Sequence, residues 1–224
     1  MSPEPAVSST PQRGRPRDPE FENRVFDAAI TLYARGGLDT LSMGAVAREA
    51  RVGKASLYIR WPDKIELLRD ALDARIVLDT DVDTGDLRSD LRRLAGQMLD
   101  MLDTEVGVAY LRRIVDRAAR PEISLRKEGG REDGEGGANL VVLAARRLVH
   151  NAVRRGELPT GADPTVMMDM LFGATMMHAA VTPVALRPRA KAKAKAYLDT
   201  LVDTVIAGIS HTAPSGGSTE TPPG

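Results

Sequence analysis

Ser42 to Lys64 reads SMGAVAREARVGKASLYIRWPDK, and this stretch decides how the rest of the chain is read. It holds two short helical patterns separated by a tight break. In the first, from Ser42 to about Ala50, Val46, Ala47 and Ala50 share one face at i, i+1, i+4 spacing. Ser42 suits an N-cap, because its hydroxyl oxygen can accept from an amide that the first turn leaves unpaired. The second pattern starts near Gly53 and runs to Trp61, where Pro62 stops it. Asp63 then reads as the N-cap of a further helix. In the second pattern Leu57, with Trp61 beside it, is the residue that needs burial. Lys54, Ser56, Tyr58 and Arg60 are left facing outward. A short helix that exposes cations, a hydroxyl and a phenol suits the major groove of a duplex. Its cations meet phosphates or guanine edges, and its polar tips meet bases. The spacing predicts a helix-turn-helix.

The flanks support that reading. Phe21, Val25, Phe26, Ala29, Leu32 and Tyr33 form a helical stripe expected to brace the two short helices as core, and Gly36-Gly37 supplies a left-handed C-cap. A helix from Asp63 to about Leu78 carries Leu67, Leu68, Ala71 and Leu72 on its buried side. Residues 1–12 are rich in Pro, Ser and Thr and are expected to be disordered. Arg13, Arg15 and Arg17 make a small basic arm around Pro16, which is either a solvating tail or a minor-groove and phosphate contact.

At these residues the chain resembles the DNA-binding domain of tetracycline-repressor-like (TetR family) transcriptional regulators. The resemblance covers Gly14 to about Ala74 and rests on FDAAITLYARGGLDTLSM, VAREARVGKASLYIRWPDK and IELLRDAL. Beyond about residue 80 it is architectural. It implies an all-α protein, with a three-helix helix-turn-helix domain at 18–74 and a larger helical ligand-binding and dimerisation domain at 75–210. A basic arm (1–17) and a tail (211–224) flank them. It implies DNA contacts from Ser42, Lys54, Ser56, Tyr58, Ile59, Arg60 and Lys64. Ser42, Tyr58 and Lys64 match phosphate positions, Lys54 matches the common Lys at the start of the reader helix, and Arg60 matches a position able to pair bidentately with guanine. For each, the alternative is a solvated surface residue. Two positions depart from the family pattern. Arg51 stands where a turn glycine is usual, and Ile59 stands where an aromatic, His or Arg is common; a thymine methyl is its natural partner.

Composition narrows the function classes. The 224 residues carry 31 Lys and Arg against 31 Asp and Glu, so no global field pulls the chain onto nucleic acid or membrane. The charge is local: Arg48, Arg51, Lys54, Arg60 and Lys64 face only Glu49 and Asp63 within the 42–64 stretch. With no cysteine, disulfides, thiolate nucleophiles and Cys-ligated metals are excluded. Neither a signal peptide nor an apolar run long enough to span a bilayer is legible, which predicts a soluble cytoplasmic protein. The sequence shows no G-x-S-x-G, no H-E-x-x-H and no phosphate-loop pattern, and the three histidines lack metal spacing, so no enzyme, metal or cofactor is expected.

The remaining two-thirds reads as helices. Asp79 to Asp86 approaches a calcium loop, but Thr84 stands where glycine is needed and Asp90 where a bidentate Glu is expected; an acidic linker fits better. Leu87, Leu91, Leu94, Met98 and Met101 make an amphipathic helix, followed by one over about 108–119. Residues 127–137 are a charged Gly-rich break, and 140–155 is helical with Gly156 as its cap. Asp163-Pro164 opens a helix that Thr182-Pro183 ends. Leu198, Leu201, Val202, Val205 and Ile209 stripe the last helix. These last two helices, about 164–181 and 193–210, are expected to pair with their copies in a homodimer. Met98, Met101, Met170, Met177 and His178 are the candidate lining for a small apolar ligand, since methionine adapts to irregular space; ordinary core is the alternative. The function expected is a ligand-responsive homodimeric repressor that binds an operator in double-stranded DNA. The alternative is a helical small-molecule-binding or enzyme module with a vestigial helix-turn-helix.

Overall fold

A computed structural model of the chain describes residues 20–79, 81–120 and 137–212. The basic arm, the Gly-rich break up to residue 136 and the tail from 213 lie outside these. The described residues form helices with no strand: α1 (Phe21–Thr40), α2 (Met43–Glu49), α3 (Lys54–Tyr58), α4 (Lys64–Arg75), α5 (Leu87–Leu102), α6 (Glu105–Ala119), α7 (Gly137–Arg155), α8 (Pro164–Val181) and α9 (Arg187–Thr212).

The helix starts are those that local chemistry favours. The Oγ of Ser42 accepts from the Ala45 amide at 3.1 Å, and Asp63 accepts from the amides of Ile65 and Glu66 at 2.7 and 3.0 Å. Asp163 accepts from Thr165 and Val166, with Pro164 in the first helical position. The break in α1 differs in detail from the expected Gly36-Gly37 cap. Gly37 alone is left-handed, at φ 69°, and helical bonding resumes beyond it to Thr40. The last helix begins earlier than its apolar stripe suggests. The Ala/Lys alternation has strong helix propensity and carries it back to Arg187, after a short 3-10 turn at Val184–Leu186.

Two apolar cores result. The first joins α1 to α4 through Val25, Phe26, Tyr33, Leu57, Trp61, Leu67 and Leu72, and it also takes Ala109 from α6. The second joins α5, α7, α8 and α9 through Leu91, Met98, Leu148, Met167, Leu171, Val202 and Val205. Helix α6 therefore straddles the cores: Val106 and Ala109 pack into the first, Tyr110 and Leu111 against the second. Polar contacts reinforce the joint. Tyr33 donates its phenol proton to Asp116 at 2.7 Å, Thr31 donates to Glu105 at 2.6 Å, and Arg113 pairs with Asp73 at 3.5 Å. Burial, then the Asp116 carboxylate, pushes the Tyr33 phenol well above its ordinary pKa.

The acidic stretch after α4 is pinned to the second core and is no free linker. Val82 is buried there. Asp79 pairs with Arg93, Asp81 with Arg147 and Asp83 with Arg155, at 2.8, 3.0 and 3.1 Å.

Candidate nucleic-acid interface

Helix α3 is a single turn and a half, and its residues divide cleanly. Leu57 is fully buried and Trp61, just past the helix, is nearly so. Trp61 packs edge-on against Phe26 at 5.6 Å and donates its indole N–H to Asp70 at 2.9 Å. These two contacts fix the C-terminal end of α3 on the first core. Every other residue from Gly53 to Arg60 is exposed; Tyr58 stands at 49% and Ile59 at 84% of full accessibility.

The turn that aims α3 is set by Arg51, which is left-handed at φ 55°. It lets the Val52 amide reach back to the Ala47 carbonyl at 3.0 Å, so the chain reverses within three residues of the end of α2. The expectation that a glycine-type conformation is required here holds, and an arginine meets it at a cost in backbone strain.

The seven residues expected on the interface fall into two groups. Lys54, Ser56, Tyr58 and Ile59 share the open surface of α3 and its C-cap, with the Lys54 ammonium 5.7 Å from the Tyr58 ring centre. Ser42, Arg60 and Lys64 are exposed or half-buried but already engaged. The Ser42 oxygen accepts the α2 cap bond, which leaves its hydroxyl proton to donate elsewhere. Lys64 donates to the Leu38 carbonyl at 2.6 Å and so braces the start of α4 against the end of α1; two of its three protons remain. Arg60 pairs with Glu22 at 2.5 Å and lies 4.5 Å over the Phe21 ring. Phe21 and Glu22 were invisible as site residues in the sequence. Phe21 reads as one more member of an apolar stripe, and no local spacing connects Glu22 to a residue 38 positions away.

The five candidate ligand residues do not converge on one cavity. Met98 is enclosed in the second core and Met101 packs beside it. His178 stacks on Tyr197 at 4.0 Å and borders a cavity of about 60 Å³ with Leu99, Leu102, Ala179 and Arg187. Met170 and Met177 lie on the exposed side of α8, 37% and 62% accessible, with the Met170 methyl beside Gly208 of α9. The apolar stripe of α9 also needs correction. Val205 is 1% exposed and Leu201 is half-buried, both against the chain's own second core, so most of the stripe packs within one subunit.

Known proteins share these features. Family models described as "Bacterial regulatory proteins, tetR family" and "Tetracyclin repressor-like, C-terminal domain" match residues 25–71 and 81–205. The HTH-type transcriptional regulator AqdR of Rhodococcus erythropolis is 31% identical over 173 residues, which span 76% of this chain and 79% of that protein. The DNA-binding transcriptional repressor TetR of Mycobacteroides abscessus is 40% identical over 76 residues, 33% of this chain and 40% of the relative. Among solved structures, a TetR-family transcriptional regulator from Haemophilus influenzae superposes with a TM-score of 0.58 at 18% identity, over 84% of this chain and 98% of that one.

Proposed function

Because the chain belongs to the TetR family of bacterial transcriptional regulators, we propose that it acts as a homodimeric, ligand-responsive repressor whose α3 surface reads the operator. It is a DNA-binding transcriptional regulator; the assignment of contacts, partner and ligand is our reading. One observation carries that reading: α3 gives a single residue, Leu57, to the core and leaves its entire remaining surface open. A helix with no other packing duty, seated on a rigid base, is what base readout requires. Lys54 and Tyr58 contact phosphates. Ile59, apolar and almost fully open, meets a thymine methyl, and Arg60 meets a guanine edge. Ser42 and Lys64, at the starts of α2 and α4, hold the flanking backbone.

The dimer partner covers the outer side of α8. Val166, Met170, Gly173, Met177 and Val181 recur at helical spacing on that side, and all are exposed. Nothing lies within 4 Å of a side chain added at Gly173, so a partner backbone can approach closely there. Two α3 helices then meet successive major grooves, about 34–36 Å apart. A small apolar ligand bound in the second core regulates by favouring one position of α6, the element shared by both cores, and hence one spacing of the two α3 helices. No helix of the described residues is long and apolar enough to cross a membrane, and the proposed site of action is cytoplasmic DNA.

Selecting duplexes from a random pool with the purified protein tests the reading. One enriched pseudo-palindromic sequence is the expected result, with Lys54→Ala weakening binding to it. Recovery of no preferred sequence would refute it.

A further inference from the structure

Among the described residues Arg60 is the one cation of the reading surface held from two sides. Its Nη1 meets the Glu22 carboxylate at 2.5 Å, and its guanidinium carbon lies 4.5 Å over the Phe21 ring. Both partners belong to the first turn of α1, which is itself anchored by Val25 and Phe26 in the first core. We propose that Glu22 and Phe21 are specificity-determining positioning residues: they clamp Arg60 in one pose and cancel its charge, so that Arg60 discriminates between base sequences instead of adding general affinity for phosphate. The inference rests on the reading of the α3 surface given above.

Two physical effects follow from the clamp. The first is conformational. A free arginine loses rotamer freedom when it docks, whereas Arg60 has lost it before DNA arrives, and a pre-ordered side chain favours the one partner that fits its pose. The second is electrostatic. General affinity for DNA comes from the net cationic charge that displaces counterions. Beyond a few ångströms the Arg60–Glu22 pair carries no net charge, so a phosphate is repelled by Glu22 about as much as it is drawn by Arg60. At contact range the N–H donors not committed to Glu22 are still available. They are directional, and the paired acceptors of a guanine edge match them. Lys54 contrasts with this arrangement. Its ammonium faces the Tyr58 ring, and no ion pair involves it among the described residues, so its charge acts at full strength on any duplex.

The test compares the full-length protein with E22Q, E22D, F21L, R60A and the double variant E22Q/R60A. Each is titrated with the selected operator and with a random duplex over a range of salt. Glu22 is largely exposed, so these changes should be tolerated; circular dichroism and denaturation midpoints check the fold. E22Q is expected to strengthen random-duplex binding, to steepen its salt slope by about 0.9, and to lower the operator-to-random ratio by roughly 5- to 100-fold, the discrimination of one arginine–guanine pair. E22D keeps the charge but shortens the reach, so the salt slope stays parental while the ratio still falls. F21L lowers the ratio without touching any charge. In an Arg60→Ala background Glu22→Gln should lower the ratio no further, because the clamp acts only through Arg60. Parental ratios in both E22Q and F21L overturn the proposal. Lys54→Ala, run in parallel, separates the two failures. If it weakens binding to both duplexes while E22Q leaves the ratio unchanged, the clamp alone is wrong; if it changes nothing, the α3 reading falls and the clamp with it.

Discussion

Replacing Arg51 with glycine should make the protein more stable, and the turn after α2 gives the magnitude. Arg51 is the one non-glycine described residue with positive φ, at 55°. An L side chain in that region costs roughly 1–2 kcal/mol, because its Cβ crowds the following carbonyl. Glycine removes the strain but carries more backbone entropy in the unfolded chain, which returns roughly 0.5–1 kcal/mol. The remainder is a gain of roughly 0–1.5 kcal/mol, centred on about 0.75 kcal/mol. Nothing among the described residues offsets it: the Arg51 side chain is exposed, and its amide bond to the Arg48 carbonyl at 3.2 Å is one that glycine also makes. For a chain of this size each kcal/mol is worth about 2–4 °C in Tm. Arg51→Ala is the control, since it loses the same charge but keeps a Cβ in the left-handed region. Urea or thermal unfolding of the three proteins should rank glycine above the parent, with alanine level with the parent or below it, at an unchanged denaturant slope. Equal gains for glycine and alanine would assign the effect to charge. A lower midpoint for glycine would refute the strain argument outright.

Other substitutions test other parts of the structure. Lys64→Ala should lower stability by about 1.5–3 kcal/mol, because it deletes a charged hydrogen bond to the Leu38 carbonyl; it should also reduce the DNA salt slope by about one unit, and an unchanged unfolding midpoint would deny the brace. Val205→Asp should unfold the second core, since it buries an unpaired carboxylate. Met170→Asp with Met177→Asp should instead give a helical monomer in sedimentation, and a dimer that survives this pair would place the interface elsewhere. Tyr33→Phe should cost about 0.5–1.5 kcal/mol through the lost bond to Asp116. The folded-state pKa of Tyr33 lies above its ordinary value of 10.0, so its contribution is complete below about pH 10 and declines as pH rises beyond it. The alkaline limb of a stability–pH curve should therefore be flatter in the phenylalanine variant than in the parent.

What could be read in the sequence was mostly local. Caps depend on residues a few positions apart, so Ser42, Asp63 and Asp163-Pro164 all stand where short-range chemistry puts them, whereas the left-handed turn at Arg51 was flagged only by the glycine usual there in the family. The division of α3 into one buried leucine and an open remainder was legible for the same reason. Periodicity reports that a helix has an apolar side, and not what that side meets. The stripe of α9 that suggested a partner subunit turns out to face α5 and α8 of its own chain. Helix α8 is apolar nearly all round, so its methionines could not be divided between core and exterior by pattern; Met167 is buried and Met177 open. Contacts between distant residues were beyond reach altogether. Lys64 on the Leu38 carbonyl and Arg60 on Glu22 depend on how the helices cross.

Ala109 sits fully buried among side chains of the first four helices although it lies 34 positions beyond the end of α4. The reading head is thus an incomplete body. A fragment cut after Arg75 would retain every residue proposed to touch DNA and still expose the apolar patch on α1 that α6 covers. The boundary at which such a protein can be divided is therefore not the one at which its sequence changes character. A chimera that joins this head to a foreign sensor must either carry α6 with it or redesign the face of α1 that α6 covers.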